Sequence, residues 1–332
     1  FSTCGCWYTD TEFVLKGLQI MCGIAGFVND MPIDVKCPVL QRMTDMIAHR
    51  GPDSEGHYID EHAALGHRRL SIIDLGGGQQ PIYNEDGSKV ITFNGEIYNY
   101  QTLREELIAA GHTFTTKSDT EVLLHGYEQW GVDLLQRVRG MFTFVIWDKN
   151  KQELFGARDH FGIKPFYYAK MNGTFMYASE IKSLLRHPDF VKELNAEALK
   201  PYMTFQYPAI GETFFKGVYK LPEGHYFTYR DGKMDIHRYY DEDFREGKQK
   251  LGELVNSIDQ TVCDSVKAHQ IADVEVGSFL SSGVDSSYVA AVARPQHTYS
   301  IGFGKGTYNE SQQAGELAEL LKLNNTAESL TD

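Results

Sequence analysis

The spacing of apolar residues changes once along this 332-residue chain, near Gly247, and that change limits the available folds. From Cys22 to about Asp189, short runs rich in β-branched and aromatic residues follow one another, bounded by Gly, Asn and Asp. They read as strands at Cys22–Val28, Ala63–His67, Lys89–Asn94, Met141–Trp147, Glu153–Arg158, Phe166–Ala169 and Phe175–Ala178. Apolar residues three or four apart predict helices at Pro38–His49, Tyr100–Ala110 and Thr120–Gln129. Strands following strands, with a few helices between them, predict sheets with helices stacked outside. Behind Gly247 the elements alternate: helix Lys248–His269, strand Val274–Leu280, helix Ser286–Arg294, strand His297–Phe303, helix Asn309–Leu321. That is the pattern of a parallel α/β sheet, and it stops after two units, where another strand is expected. Asn195–Gly247 reads as an irregular connection, with Pro201, Pro208, Pro222 and one β run at His225–Tyr229.

Acidic residues outnumber basic ones by 45 to 32, a net charge of −13. A nucleic-acid binder needs a basic footprint, so that class of partner is not expected. No apolar run approaches the ~18 residues that span a bilayer, so no membrane span is expected. The five cysteines, Cys4, Cys6, Cys22, Cys37 and Cys263, are odd in number and contain no C-x-x-C pair. They point to a reducing, cytoplasmic compartment rather than a disulfide framework. The histidines show no H-x-x-x-H pair, so no dedicated transition-metal site is expected.

At Met21 the character of the chain changes, and Met21-Cys22-Gly23-Ile24 reads as a start followed by a small-residue strand. Residues 1–20 have neither the basic region nor the apolar core of a secretory signal. The expectation is that residues 1–21 are a non-native or removed extension. A cysteine exposed by loss of Met21 carries its α-amine (pKa ~8) beside its thiol (pKa ~8.5), so one residue can be nucleophile and base. An inert cysteine on a strand is the bland alternative.

Three further segments bear on that choice. His49-Arg50-Gly51-Pro52-Asp53 is a charged tight turn. Arg68-Arg69-Leu70-Ser71-Ile72-Ile73-Asp74 places guanidiniums at a strand end, where one can grip a carboxylate bidentately. In Phe93-Asn94-Gly95-Glu96-Ile97-Tyr98-Asn99, a side-chain amide and a glycine N–H can converge on a developing oxyanion. Taken singly, each is also an ordinary turn or a solvated rim charge.

In this order, together with Ser118-Asp119, they resemble the glutaminase domain of N-terminal-nucleophile amidotransferases, and within that group the glutamine-hydrolysing asparagine synthetases. The resemblance runs from Met21 to the chain end. It implies a four-layer αββα α+β domain with antiparallel sheets over 22–190, a connection over 191–247, and an incomplete α/β parallel-sheet ATP-binding domain over 248–332. It assigns Cys22 as nucleophile and Asn94 and Gly95 as oxyanion hole. Arg69 would hold the glutamine α-carboxylate, Glu96 and Asp119 the α-ammonium, and Leu70, Ser71, Ile72 and Ile73 would line the same pocket.

Leu280-Ser281-Ser282-Gly283-Val284-Asp285-Ser286-Ser287 lies between a strand and a helix start, where amides and hydroxyls can face an anion. A plain N-cap is the bland reading. The turn resembles the pyrophosphate loop, Ser-x-Gly-x-Asp-Ser, of synthetases that release AMP and pyrophosphate, with Ser282 where a glycine is common. By the same resemblance Leu280 and Ile301 flank the adenine and ribose, and Mg²⁺ accompanies the ATP, with its protein ligands unknown.

The whole then implies asparagine biosynthesis from glutamine, aspartate and ATP, with room for a homodimer. The family continues into a Ser-Gly-Glu-Gly-type loop and aspartate-binding residues that this sequence lacks, so these 332 residues are not expected to make asparagine by themselves. The alternatives are a glutaminase half-reaction only, or an inactive homologue or fragment that binds glutamine or ATP without turnover. A synthase aminating a sugar phosphate would share Cys22, Arg69 and Asn94 but lack the Ser281–Ser287 loop. A β-lactam-forming relative usually lacks the cysteine.

Overall fold

The computed structural model describes residues 21–207, 211–303 and 310–330. The expected extension (apart from Met21), Pro208 and the start of the last helix at Asn309 lie outside the described residues. The chain divides into two compact units, with the boundary at Asp243 and Phe244.

In chain order the first unit contains β1 (Gly23–Val28), α1 (Ile33–Asp45), β2 (Ser54–Ile59), β3 (Ala63–Arg69), β4 (Ile82–Tyr83) and β5 (Lys89–Ile97). It continues with α2 (Tyr100–Ala109), α3 (Asp119–Trp130), β6 (Gly140–Asp148), β7 (Glu153–Arg158), β8 (Tyr167–Met171) and β9 (Thr174–Ala178). The last elements are α4 (Ile181–Leu184), α5 (Ala196–Phe205), β10 (Val218–Lys220), β11 (His225–Arg230) and β12 (Lys233–Arg238). The strands form two six-stranded sheets, in the orders β10-β8-β9-β1-β3-β2 and β12-β11-β7-β6-β5-β4. Every pairing within them is antiparallel.

The two-residue period of a strand sorts its side chains into layers. Along β6, Phe144 and Ile146 join the cluster under α2 and α3, while Val145 and Trp147 join the cluster between the sheets. Along β1, Ile24 faces the inter-sheet layer, and Ala25 and Phe27 pack against Val39, Leu40 and Met43 of α1. Three apolar layers therefore separate helix, sheet, sheet and helix, which is the αββα stack. Trp147, 1% exposed, is among the largest side chains of the middle layer; truncating such a group costs about 3–5 kcal/mol.

Two expectations need correction here. The stretch read as an irregular connection supplies three strands: β10 pairs with β8, and β11 lies between β7 and β12. The short length of β10 and the charged, half-exposed face of β12 hide them from a reading by hydrophobic pattern. Helix α1 runs over Ile33–Asp45, beginning directly behind Pro32 and carrying Pro38 inside it, whereas the apolar spacing predicts Pro38–His49.

The second unit contains α6 (Leu251–Ala268), β13 (Ser278–Phe279), α7 (Val284–Ala293), β14 (His297–Phe303), α8 (Ser311–Leu321) and β15 (Asn324–Leu330). Its strands are parallel in the order β13-β14-β15. The expected strand Val274–Leu280 is only two residues long. The third strand, β15, gives no apolar signal because its sequence is Asn-Asn-Thr-Ala-Glu-Ser-Leu. Among the described residues no helix is long and apolar enough to cross a membrane.

Candidate functional site

Strand parity brings the site together. On β3, Leu65 faces the inter-sheet core, so His67 and Arg69 continue the same face to the strand end. On β5, Val90 does the same for Thr92, Asn94 and Glu96, and on β1, Ile24 does so for Cys22 just before the strand. The core face thus runs out into a polar end, and a pocket forms there. Its lining includes Cys22, Arg69, Leu70, Ile72, Ile73, Gly95, Glu96 and Asp119. Of the expected residues, Ser71 and Asn94 are not part of that lining. The N–H of Ser71 is instead donated to Asp53 at 2.8 Å.

The Cys22 Sγ is half-buried, accepting the Leu70 N–H at 3.3 Å and lying 3.5 Å from the Leu70 carbonyl. Burial pushes its pKa up, against the Leu70 hydrogen bond and the nearby Arg69 charge. The turn at His49–Asp53 fixes the cysteine's backbone: Arg50 donates from Nε to the Cys22 carbonyl at 3.1 Å and pairs with Glu180 at 3.1 Å.

Arg69 is 5% exposed and donates from Nη2 to the carbonyls of Ile73 (3.1 Å) and Asp74 (2.6 Å). The guanidinium therefore shapes the loop behind it, with Nη1 also reaching the Leu75 carbonyl at 3.5 Å, and Arg69 lines the pocket. Asn94 is fully buried, and neither its amide nitrogen nor its amide oxygen has a hydrogen-bond partner among the described residues. An orphaned buried amide costs roughly 1–3 kcal/mol. Beside it, a Cβ on Gly95 would lie 2.1 Å from the Met141 carbonyl across the sheet, so only glycine permits this close pairing.

Two carboxylates, Glu96 and Asp119, also line the pocket. Asp119 opens α3, accepts the Ile97 N–H at 3.0 Å, and is pushed up to about 6 by burial. Glu96 is raised as well, by burial and by Asp119, with Lys164 opposing.

Lys164 was absent from the sequence reading. It is buried and its pKa is pulled down by desolvation, although Glu96 and Asp159 oppose that shift. Its Nζ donates to the Met21 sulfur. Asp159 holds its loop by accepting the N–H groups of Phe161, Ile163 and Lys164 at 2.9–3.1 Å. The available signal was a charged Arg-Asp pair at a strand end followed by a Gly-x-Lys-Pro turn. Gln80 was missed too; it donates to Thr120 at 3.3 Å and accepts the Phe93 N–H at 2.6 Å. With Met21 in its lining the cavity measures about 30 Å³, far below the ~150 Å³ that holds a benzene-sized guest.

In the second unit, the loop after β13 lies at the carboxyl end of a parallel strand, where α/β sheets bind their ligands. Leu280 is buried and donates its N–H to Tyr299 at 2.8 Å, while Ile301 on neighbouring β14 is exposed. Ser281 and Ser286 share a hydroxyl contact at 2.8 Å, and Ser287 donates to the Gly283 carbonyl at 2.7 Å. Ser282, Gly283, Val284 and Asp285 are exposed at the start of α7, where a helix leaves its first amides without internal acceptors.

A model of the glutamine amidotransferase domain matches residues 21–240, and the asparagine synthase model matches residues 257–332. The chain belongs to the glutamine amidotransferase domain family. It is 44% identical over 313 residues to asparagine synthetase [glutamine-hydrolyzing] 1 of Bacillus subtilis (strain 168), covering 92% of this chain and 49% of that protein. To asparagine synthetase [glutamine-hydrolyzing] 3 of the same organism it is 36% identical, covering 85% of this chain and 48% of that protein. This amidotransferase chain thus spans about half the length of these curated relatives. Its fold is similar to that of glutamine phosphoribosylpyrophosphate amidotransferase from B. subtilis, with a TM-score of 0.50 at 16% identity, covering 92% of this chain and 65% of that one.

Proposed function

We propose that the first unit hydrolyses glutamine to glutamate and ammonia at Cys22, as the nitrogen-supplying half of an asparagine synthetase. The observation that carries this is the convergence of Cys22, Arg69, Gly95, Glu96 and Asp119 on one pocket. In this reading the α-amine of Cys22, freed of Met21, takes the thiol proton as sulfur attacks the side-chain amide carbon. The oxyanion is met by the Gly95 N–H and the orphaned Asn94 amide. Ammonia leaves with the returned proton, and water cleaves the thioester to release glutamate. Arg69 holds the α-carboxylate, and Glu96 and Asp119 hold the α-ammonium. Removal of Met21 also frees its share of the pocket, which is too tight for an amino acid while that residue lines it.

For the second unit we propose ATP binding by Leu280–Ser287 and Ile301, with Mg²⁺ on the triphosphate oxygens. Asp285 is the carboxylate that the loop offers near it. In the complete protein, ATP would adenylate the aspartate β-carboxylate, releasing pyrophosphate, and ammonia would displace AMP to give asparagine. The odd number of cysteines, with Cys22, Cys37 and Cys263 free among the described residues, fits a cytoplasmic enzyme.

The test is labelling with an electrophilic glutamine analogue on protein that begins at Cys22. Covalent mass on Cys22, blocked by excess glutamine, supports the reading; no adduct favours a homologue that binds without turnover.

A further inference from the structure

Away from the glutamine pocket, Glu85, His112, His125 and Glu128 each bring one ligand atom to within 4.8 Å of the others. They come from three places in the fold. Glu85 lies in the turn between β4 and β5, His112 follows α2, and His125 and Glu128 sit one turn apart on α3. The sequence contains no H-x-x-x-H pair, and the group exists only because the fold gathers it.

The spacing is that of a coordination shell. Glu85 lies 3.1 Å from His112 Nδ1 and 3.2 Å from His125 Nδ1, and Glu128 lies 3.2 Å from His125 Nδ1. Ligands held 2.0–2.1 Å from a tetrahedral zinc ion are about 3.3 Å apart. The far side of each ring is also arranged for a metal. His112 Nε2 faces Gln129 Oε1 at 3.3 Å, and His125 Nε2 faces Glu121 Oε1 at 3.4 Å. An acceptor at Nε2 keeps the proton there and leaves the Nδ1 lone pair for the metal.

The carboxylates are aimed in the same way. Glu85 accepts the Thr113 N–H at 3.1 Å, and Glu128 accepts from Asn84 at 2.7 Å and Lys89 at 3.3 Å. Three carboxylates (Glu85, Glu121 and Glu128) surround the two imidazoles, and Lys89 pairs with Glu128. A divalent cation offsets that excess of negative charge. His125 is fully buried whereas Glu85 is exposed, so the group has a rigid floor and an open side.

We propose that Glu85, His112, His125 and Glu128 form a tetrahedral site for a divalent transition metal of the zinc class. Two imidazole nitrogens exclude magnesium or calcium as the preferred occupant, since those ions take oxygen ligands. The ion would clip the β4–β5 turn and the segment after α2 onto α3, the helix whose first residue, Asp119, lines the glutamine pocket. Its role is structural, and it is independent of the glutaminase reading.

The experiment uses the full chain, stripped with a chelator and titrated with Co²⁺ and then Zn²⁺. The expected result is one equivalent bound, the visible bands of four-coordinate cobalt without thiolate charge transfer, and displacement by Zn²⁺. Glu85→Ala, at an exposed position, should weaken Zn²⁺ binding by at least about 10-fold, and His112→Ala by about 100-fold. Both variants should keep the circular dichroism of the parent and lose the Zn²⁺-induced rise in melting temperature. Absent binding, a six-coordinate or thiolate spectrum, or equal affinity in His112→Ala and parent would each overturn the proposal.

Discussion

The two candidate sites of this chain are built in opposite ways. The candidate glutamine pocket draws on residues as far apart as Cys22, Arg69, Glu96 and Asp119, all at least half-buried. The loop at Leu280–Ser287 is one contiguous segment whose middle is exposed and whose serines bond one another. In the first, sheet register fixes the groups and desolvation raises the pKa values of Cys22, Glu96 and Asp119. In the second, local turn chemistry shapes the loop and water screens it. The lesson is that equal substitutions should weigh very differently at the two sites.

The largest effect is expected at the nucleophile. In protein beginning at Cys22, Cys22→Ser should lower glutamine hydrolysis on the order of 10⁴-fold or more, measured as ammonia release. Next, Asn94→Ala should reduce kcat about 10²–10³-fold with little change in KM, as loss of an oxyanion donor does. A change confined to KM would mean that Asn94 only packs. Arg69→Lys should raise KM for glutamine about 10–100-fold, since a charge-assisted hydrogen bond contributes roughly 1.5–3 kcal/mol.

The pH dependence follows from the raised carboxylates. Asp119, pushed up to about 6, is ionised above that pH and neutral below it. An α-ammonium needs the ionised forms, and Glu96 is pushed up to about 7, so KM for glutamine should be flat above about pH 8 and rise as the pH falls through 7 and then 6. A flat KM from pH 5 to 7.5 would place the ammonium elsewhere. The smallest effect belongs to the exposed loop: Ser282→Gly should change the affinity of a fluorescent ATP analogue by less than about threefold. A loss as large as that of Arg69→Lys would erase the contrast between the two sites.

The same contrast explains what could be read in advance. Strands β5 and β6 were visible because they are dense in β-branched and aromatic residues. The motif residues at their ends could be picked out by chemical type. The alternation of the second unit was visible from its apolar runs, except at β15, whose residues are mostly polar and whose Asn325 side chain accepts from Thr298 and Ser300 of β14. Lys164 and Gln80 escaped because their importance lies in where the fold buries them. Of the strands of 218–238, the run at His225–Tyr229 was legible, whereas β10 escaped because it is three residues long with a partner far off in sequence, and β12 because its face is charged and mixed.

The central claim is that Cys22 works with its own amine. The decisive measurement compares labelling by an electrophilic glutamine analogue, read by intact mass, in two proteins: one beginning at Cys22 and one retaining Met21. A single adduct on the first and none on the second is predicted. Equal labelling of both, or of neither, would contradict the account.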